Sequence, residues 1–252
     1  MRRYWIEPSQ KHEQEVHFEG DQFHHIFDVC RQDLGSKFEV LLQGQAYLVE
    51  VTSVEKRRAK GRILEIRQIQ ELPKPYINLA LCIPRFHVLE SLLEKAVEMG
   101  VREIQLLSSD YSFVKKSEKL SSGKWERWQK IIKSATQQTG RGDLLTLHPP
   151  VPLQEFTERL NRQRPFLCLF GYEGSTPLGI SDYFQKLETR DWNEAWVLVG
   201  AEGGFSGQEV EKLQSQGVQA VTLGPQILRV ETACLAFVSI LKYELGLMRG
   251  RT

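Results

Sequence analysis

Residues 196–232 read WVLVGAEGGFSGQEVEKLQSQGVQAVTLGPQILRVET, and the reading of this stretch decides the fold. Val197, Leu198 and Val199 make a short apolar run, the pattern of a strand buried on both faces of a parallel sheet. The run meets Gly200, Gly203 and Gly204, whose missing Cβ atoms let the backbone turn sharply and leave room for something to lie against it. Ser206 with Glu209 three residues on is a capping box, so a helix starts there and extends to Gly217, a favoured C-terminal cap. Residues 220–223 form the next strand, which Gly224-Pro225 ends.

Two other apolar runs end in the same way. Residues 166–170, closing on Phe170, meet Gly171, and residues 221–223 meet Gly224. Ligands of open α/β sheets bind beyond the carboxyl ends of the strands, so three glycine-ended strands predict one shared pocket. The spacing of GAEGG fits neither the P-loop nor the dinucleotide-binding pattern, and a tight strand-to-helix turn without a ligand is its plainer reading. Upstream the alternation continues. Residues 77–83 form a strand, and residues 88–99 an amphipathic helix with Val88, Leu89, Leu92, Leu93, Ala96 and Val97 on one face. Gly100 closes that helix, and residues 101–107 are the next strand. A β-α-β rhythm of this kind predicts an α/β fold, a parallel sheet covered by helices.

The pair G-x-E-G-G-F-S…E and L-G-x-x-I-L-R-x-E-T-A resembles the signature of the bacterial 16S ribosomal RNA uridine N3-methyltransferases, a family of the SPOUT superfamily. Upstream, EKAVEMGV at 94–101 resembles the helix ending K-A-x-E-L-G-V of that family, and Gln138 with Arg141 its Q-x-x-R. Ala201 stands where the family usually has Pro, Gln226 where a basic residue is common, and Arg85-Phe86-His87 where a basic-Gly pair opens the helix. The resemblance implies a SPOUT domain with a deep C-terminal trefoil knot, S-adenosylmethionine as cofactor, and methylation of a uridine in the decoding region of the 30S subunit. It implies a homodimer formed through the C-terminal domain. It places the cofactor on Phe170, Gly171, Gly200, Glu202, Gly203, Gly204, Leu223, Gly224, Ile227 and Leu228, held mostly through backbone groups. Arg229 and Glu231 would be catalytic, Arg229 meeting the charge that develops on uracil. Read without the family, Arg229 pairs with Glu231 or Glu202, and Glu231 with Thr232 caps the last helix. A SPOUT enzyme acting on another RNA, and an RNA-binding homologue without activity, are the competing functions; the intact GAEGG and ILRVETA motifs argue against the second.

The N-terminal part has a different character. Residues 37–42 and 47–54 flank Gln43-Gly44-Gln45 as a hairpin, and residues 59–66 supply another strand. Before them FHHIFDVCRQDLG spaces Phe23, Ile26, Phe27 and Cys30 as a helix does. In the family this segment belongs to a small PUA-like barrel that contacts RNA, which singles out His25 and Arg31 beside His24. The alternative is a helix start with capped or half-buried histidines. ELPKP at 71–75 marks the boundary, since its prolines bar both helix and central strand. This gives a PUA-like RNA-binding barrel over 1–72 and a SPOUT methyltransferase domain over 73–252.

Residues 115–141 hold eight basic residues against two acidic ones in a chain whose net charge is only +1. Trp125, Trp128, Ile131 and Ala135 follow a helical stripe there and read as core. Lys115, Lys130 and Lys133, with Gln138 and Arg141, are candidates for phosphate contact; a solvated helix face is the plainer reading. The closing helix, 231–246, is apolar on most sides and is expected to be buried all round, in part by a second copy. With 41% hydrophobic residues among 252, the chain can bury a large core. Cys30, Cys82, Cys168 and Cys234 lack CxxC spacing and read as buried free thiols of a cytoplasmic protein, and no metal site is expected. No signal peptide or membrane-spanning run is read.

Overall fold

The computed structural model describes residues 2–114, 120–161, 166–174, 178–187 and 191–249. The chain divides into two units, residues 1–71 with 136–144, and residues 72–135 with 145–252.

The first unit contains β1 (Arg3–Trp5), β2 (Lys11–His12), β3 (Glu15–Glu19), the single turn α1 (Gly20–Phe23), which continues as a π-helical turn over His24–Val29, then β4 (Lys37–Leu42), β5 (Gln45–Glu55) and β6 (Arg58–Gln68). The strands form one sheet in the order β1-β4-β5-β6-β3-β2, parallel only between β1 and β4. Gln43 and Gly44 both adopt positive φ, 47° and 78°, as the tight two-residue turn between β4 and β5 requires. Register shifts in β5 at Leu48/Val49 and Val51/Ser53 bend that strand and help the sheet curl around its core. The core is Phe18, Phe38, Val40, Val49 and Ile63, with Phe23, Ile26 and Phe27 packed in from the helical segment. Residues 136–144 group with this unit because Gly140 leaves space for the Arg3 guanidinium and Gly142 for the Ile69 side chain. A boundary drawn only at the 71–75 linker does not anticipate that return.

A carboxylate is buried in this sheet. Glu39 accepts hydrogen bonds from Arg3 at 2.7 Å and from Arg67 at 2.9 and 2.6 Å. Burial alone would raise the Glu39 carboxyl; the two guanidinium groups outweigh it and hold it below the ordinary value. A depressed folded-state pKa contributes stability above the unfolded-state value and loses it as pH falls through the folded-state value. Glu39→Gln is therefore expected to cost about 1–2 kcal/mol at neutral pH, a modest figure because both arginines are partly solvated. The cost should vanish in acid. Denaturation curves of both proteins at neutral pH and below the ordinary carboxylate range check this, and a pH-independent difference would show that Glu39 acts through packing.

The second unit contains β7 (Tyr76–Cys82), α2 (Phe86–Glu98), β8 (Glu103–Ser108), α3 (Ser122–Thr139, its residues from 136 on counting with the first unit), β9 (Thr146–Pro152), α4 (Leu153–Asn161), β10 (Phe166–Gly171), β11 (Leu178–Gly179), α5 (Ile180–Gln185), β12 (Glu194–Val199), α6 (Gly207–Ser215), β13 (Gln219–Thr222) and α7 (Val230–Glu244). Among the described residues its seven strands are all parallel, in the order β11-β13-β10-β12-β7-β8-β9. Alternate strand residues serve opposite faces. Leu79, Leu81, Ile104, Leu106 and Val197 pack with Leu92 and Leu93 of α2, Trp128 of α3 and Phe237 and Leu241 of α7. Ala80, Cys82, Leu107, Phe170 and Leu198 pack on the other side with Phe156 of α4 and Val210 and Leu213 of α6. The capping box at the start of α6 is formed, and Gly217 follows that helix with φ 77°.

The strand order places β13, β10 and β12 side by side, so the three glycine-ended strands finish next to one another. α7 buries Val230, Cys234, Phe237, Val238 and Leu241, whereas Leu235, Ala236 and Ile240 are only half-buried and Tyr243 is 74% exposed. In the single chain α7 is therefore covered on one face and not all round. None of the four cysteines forms a disulfide; Cys82 and Cys234 are buried, which raises their thiols above the ordinary range, whereas Cys30 and Cys168 are only half-buried. Among the described residues no helix is long and apolar enough to cross a membrane.

Candidate functional site

The carboxyl ends of β10, β12 and β13 open into a cavity of about 830 Å³. β10 contributes Gly171, followed by Tyr172, Glu173 and Gly174; β12 contributes Val199 and the turn from Gly200 to Phe205. β13 contributes Val221 and Thr222, followed by Leu223, Gln226, Ile227, Leu228 and Arg229. Val230, Glu231, Ala233 and Phe237 of α7 close one wall, and Arg85, His87, Val88 and Ser91, at the start of α2, another. Of the ten candidate cofactor positions, Gly171, Gly200, Glu202, Gly203, Gly204, Leu223, Ile227 and Leu228 line this cavity. Phe170 and Gly224 do not. The Phe170 side chain points to the opposite face of the sheet, edge-on to Phe205 with ring centroids 5.7 Å apart. Gly224, with φ 119°, shapes the exposed turn after β13, where Thr222 Oγ1 donates to its carbonyl at 2.9 Å.

The glycines serve the protein's own packing more than open space. A Cβ on Gly200 would stand 2.6 Å from the carbonyl carbon of Gly204, one on Gly171 2.7 Å from the Phe237 ring, and one on Gly203 3.0 Å from Tyr111. Of these four, Gly204 alone has nothing within 4 Å, and its φ of 72° sets the end of the turn. That turn is closed by a hydrogen bond from the Gly204 N–H to the Ala201 carbonyl at 2.8 Å. It is fixed from both sides: Glu202 accepts the Arg85 N–H at 3.0 Å, and Ser206 shares a hydrogen bond with Asp110, whose N–H donates to Glu209 at 2.9 Å.

Arg229 is exposed and is the N-cap residue of α7; its carbonyl accepts the Ala233 N–H at 2.8 Å. Its guanidinium pairs with neither Glu231 nor Glu202, so the structural pairing that the sequence allows is not formed. Glu231 sits in the first turn of α7, where a carboxylate is favoured by the helix dipole. Arg85, His87, Tyr172 and Phe237 also line the cavity, although the sequence motifs do not mark them as cofactor contacts. The carboxyl end of β7, next to β12 in the sheet, is the signal that points to Arg85 and His87.

The candidate RNA contacts lie elsewhere. In the first unit His25 is exposed, edge-on to the Tyr4 ring at 6.0 Å, and Arg31 is exposed with φ 55°. His24 is paired with Asp28 at 2.7 Å, one helical turn on. Gln138 is exposed, but the Arg141 side chain is 8% exposed and bound to Asp143 at 2.8 Å, so its charge is already engaged. On α3, Lys130 is exposed and Lys133 half-buried, while Trp128 and Ala135 are buried with Trp125 and Ile131 packed against the core. Lys115 lies outside the described residues. Among the described residues no cluster of His, Cys, Asp and Glu could hold a metal ion.

Residues 70–242 match the family described as RNA methyltransferase domain, and residues 18–64 the one described as RNA methyltransferase PUA domain. Ribosomal RNA small subunit methyltransferase E of Bacillus subtilis is 31% identical over 259 residues, which cover 99% of each chain. The enzyme of the same name from Aquifex aeolicus is 30% identical, over 88% of this chain and 91% of its own. Among solved structures, that of ribosomal RNA small subunit methyltransferase E from Neisseria gonorrhoeae bound to S-adenosyl methionine matches with a TM-score of 0.79 and 26% identity, over 96% of this chain and 97% of that one. Sequence, domain order and fold agree over nearly the whole length, and the chain belongs to the family of RNA methyltransferases that includes ribosomal RNA small subunit methyltransferase E.

Proposed function

We propose that this protein transfers a methyl group from S-adenosylmethionine to N3 of a uridine in the decoding region of 16S ribosomal RNA, within the 30S subunit. The observation that carries the reading is the cavity at the ends of β10, β12 and β13, which brings together the glycine turn and an Arg229 free of both nearby carboxylates. Its volume suits a nucleoside-sized cofactor, and its wall combines apolar Leu223 and Leu228 with the backbone groups of residues 200–204. Those residues, with Gly171 and Ile227, would hold the cofactor. S-adenosylmethionine supplies, when bound, a methyl group already activated by its sulfonium. The work left to the protein is alignment and electrostatics. Arg229 offsets the negative charge that appears on uracil as N3 loses its proton. Glu173, Glu202, Glu231 and His87 line the same cavity and are candidates to accept that proton.

Three architectural readings go with this function. The trefoil knot is supported by the chain path: β13 lies beyond β10, yet α7 packs against β12, β7 and α2. A homodimer through the second unit is supported by the half-covered face of α7 and by Ile227, 82% exposed. Residues 1–72, a PUA-like barrel, and the basic face of α3 would hold RNA. Charge reversal at Lys130 and Lys133 is expected to lower the slope of log affinity against log salt by about 0.7 for each phosphate left unneutralised. Filter binding of 16S fragments across a salt series measures this, and an unchanged slope removes both lysines from the RNA face.

The function is tested by incubating the pure protein with labelled S-adenosylmethionine and 30S subunits and mapping the modified base. A second reading, methylation of another RNA, is favoured by Gln226, which lines the cavity where the family usually has a basic residue. Transfer to a different nucleotide in the same experiment would select it.

A further inference from the structure

Two large aromatic side chains stand out of the surface beside the cavity. Tyr111 is 52% exposed and Phe113 56%, both in the loop that follows β8. The loop is held rigidly for one so exposed. Ser109 N–H donates to Ser112 Oγ at 2.9 Å, Ser112 Oγ donates to the Leu107 carbonyl at 3.2 Å, and Phe113 N–H donates to the Ile83 carbonyl at 2.8 Å. Asp110 is tied to the cap of α6 through Ser206 and Glu209. Tyr111 lies against the glycine turn, since a Cβ on Gly203 would stand 3.0 Å from its Cβ. Phe113 meets Phe86 edge-to-face at 5.3 Å, and Phe86 sits between Arg85 and His87, both of which line the cavity. The Phe86 ring also faces a cation, with Lys124 Nζ 5.1 Å from its centroid.

Exposed aromatics cost solvation unless something covers them, and a loop pinned by this many hydrogen bonds loses little entropy when it is covered. Unstacked nucleobases are a fitting cover: every base has a π-face, base–aromatic stacking is strong, and phosphates favour nearby cations. We infer that Tyr111 and Phe113 form a stacking platform for single-stranded nucleotides next to the acceptor uridine, holding the RNA so that the acceptor enters the cavity while its neighbours stay outside. Lys124 and Arg85 supply positive charge for the intervening phosphates. This rests on the RNA-methylating reading of the cavity and adds to it the residues that present the substrate. Their role is positioning.

The test uses the full chain and a short single-stranded RNA carrying 2-aminopurine beside a uridine, since that base loses fluorescence when it stacks. Wild type should quench it. Tyr111→Ala and Phe113→Ala should each weaken RNA binding about 10- to 100-fold, abolish part of the quenching and raise KM for RNA, with cofactor affinity by calorimetry unchanged. Tyr111→Phe and Phe113→Tyr should retain binding, which separates stacking from a general loss of fold. Unchanged quenching and RNA affinity in both alanine variants would overturn the inference. Weakened cofactor binding by Tyr111→Ala with full quenching would overturn it for Tyr111, leaving that residue a buttress of the glycine turn. Quenching by a wild-type protein that transfers no methyl group would sink the catalytic reading and leave the platform standing.

Discussion

Arg229→Ala is expected to slow methyl transfer about 100- to 1,000-fold, the range for losing one donor that acts on charge present only in the transition state. Cofactor affinity should change little, because the side chain is exposed at the edge of the cavity while the backbone around it builds the wall. The structure sharpens this expectation. An arginine paired with Glu231 or Glu202 would have had to break that pair to act, and its removal would have stranded a carboxylate. Neither pair exists here, and Glu202 is occupied by the Arg85 N–H. Glu231→Ala should therefore not mimic Arg229→Ala in stability. Single-turnover rates, cofactor affinity and sedimentation of both variants decide the matter. Dissociation of a dimer by Arg229→Ala, with an unchanged rate per folded dimer, would take Arg229 out of catalysis.

The sheet is legible in the sequence because parallel strands buried on both faces leave uninterrupted apolar runs, and 77–83, 166–170 and 196–199 each fall on an observed strand to within about two residues. Start and stop chemistry is equally readable. Ser206 with Glu209 caps α6, and Gly100 and Gly217 follow their helices in the left-handed conformation. What local pattern does not show is the return of residues 136–144 to the first unit, since it depends on Gly140 and Gly142 meeting side chains far away in sequence. The same limit applies to α7. Its composition asks for burial all round, but composition cannot say that the single chain covers only the face carrying Cys234, Phe237, Val238 and Leu241.

Within the site, the adjacency of three glycine-ended strands follows from a general rule about sheet ends, and the cavity lies where that rule puts it. A fourth strand qualifies under the same rule. β7 also ends at the cavity, bringing Arg85 and His87, but Ile83-Pro84 carries no glycine to mark it in the sequence. Phe170 departs in the opposite sense. It belongs to the right strand end but to the wrong face, since its neighbour Gly171 takes the cavity side and period-two alternation sends Phe170 into the core with Phe205. Arg141 carries the charge that RNA contact needs, yet Asp143, two residues away, already holds it.

Gly200→Ala should remove cofactor binding, the larger of the two effects expected at this turn. Its new Cβ would lie 2.6 to 2.7 Å from the carbonyl carbon, Cα and oxygen of Gly204, all backbone atoms that cannot swing aside. The turn must open, and with it the hydrogen bond between Ala201 and Gly204 that shapes the cavity wall. Gly203→Ala meets only Tyr111, Cβ first, at 3.0 to 3.3 Å, and that residue need give by only a few tenths of an ångström. It should be milder by far. Wild type with S-adenosylmethionine at a hundred times its Kd gains about 2.7 kcal/mol, which for a chain of this size raises Tm by about 5 to 11 °C. Gly200→Ala should show almost none of that rise, and Gly203→Ala most of it. A full rise in Gly200→Ala would mean that the turn is not the cofactor's wall, and no rise in the wild type would remove the transferase reading altogether.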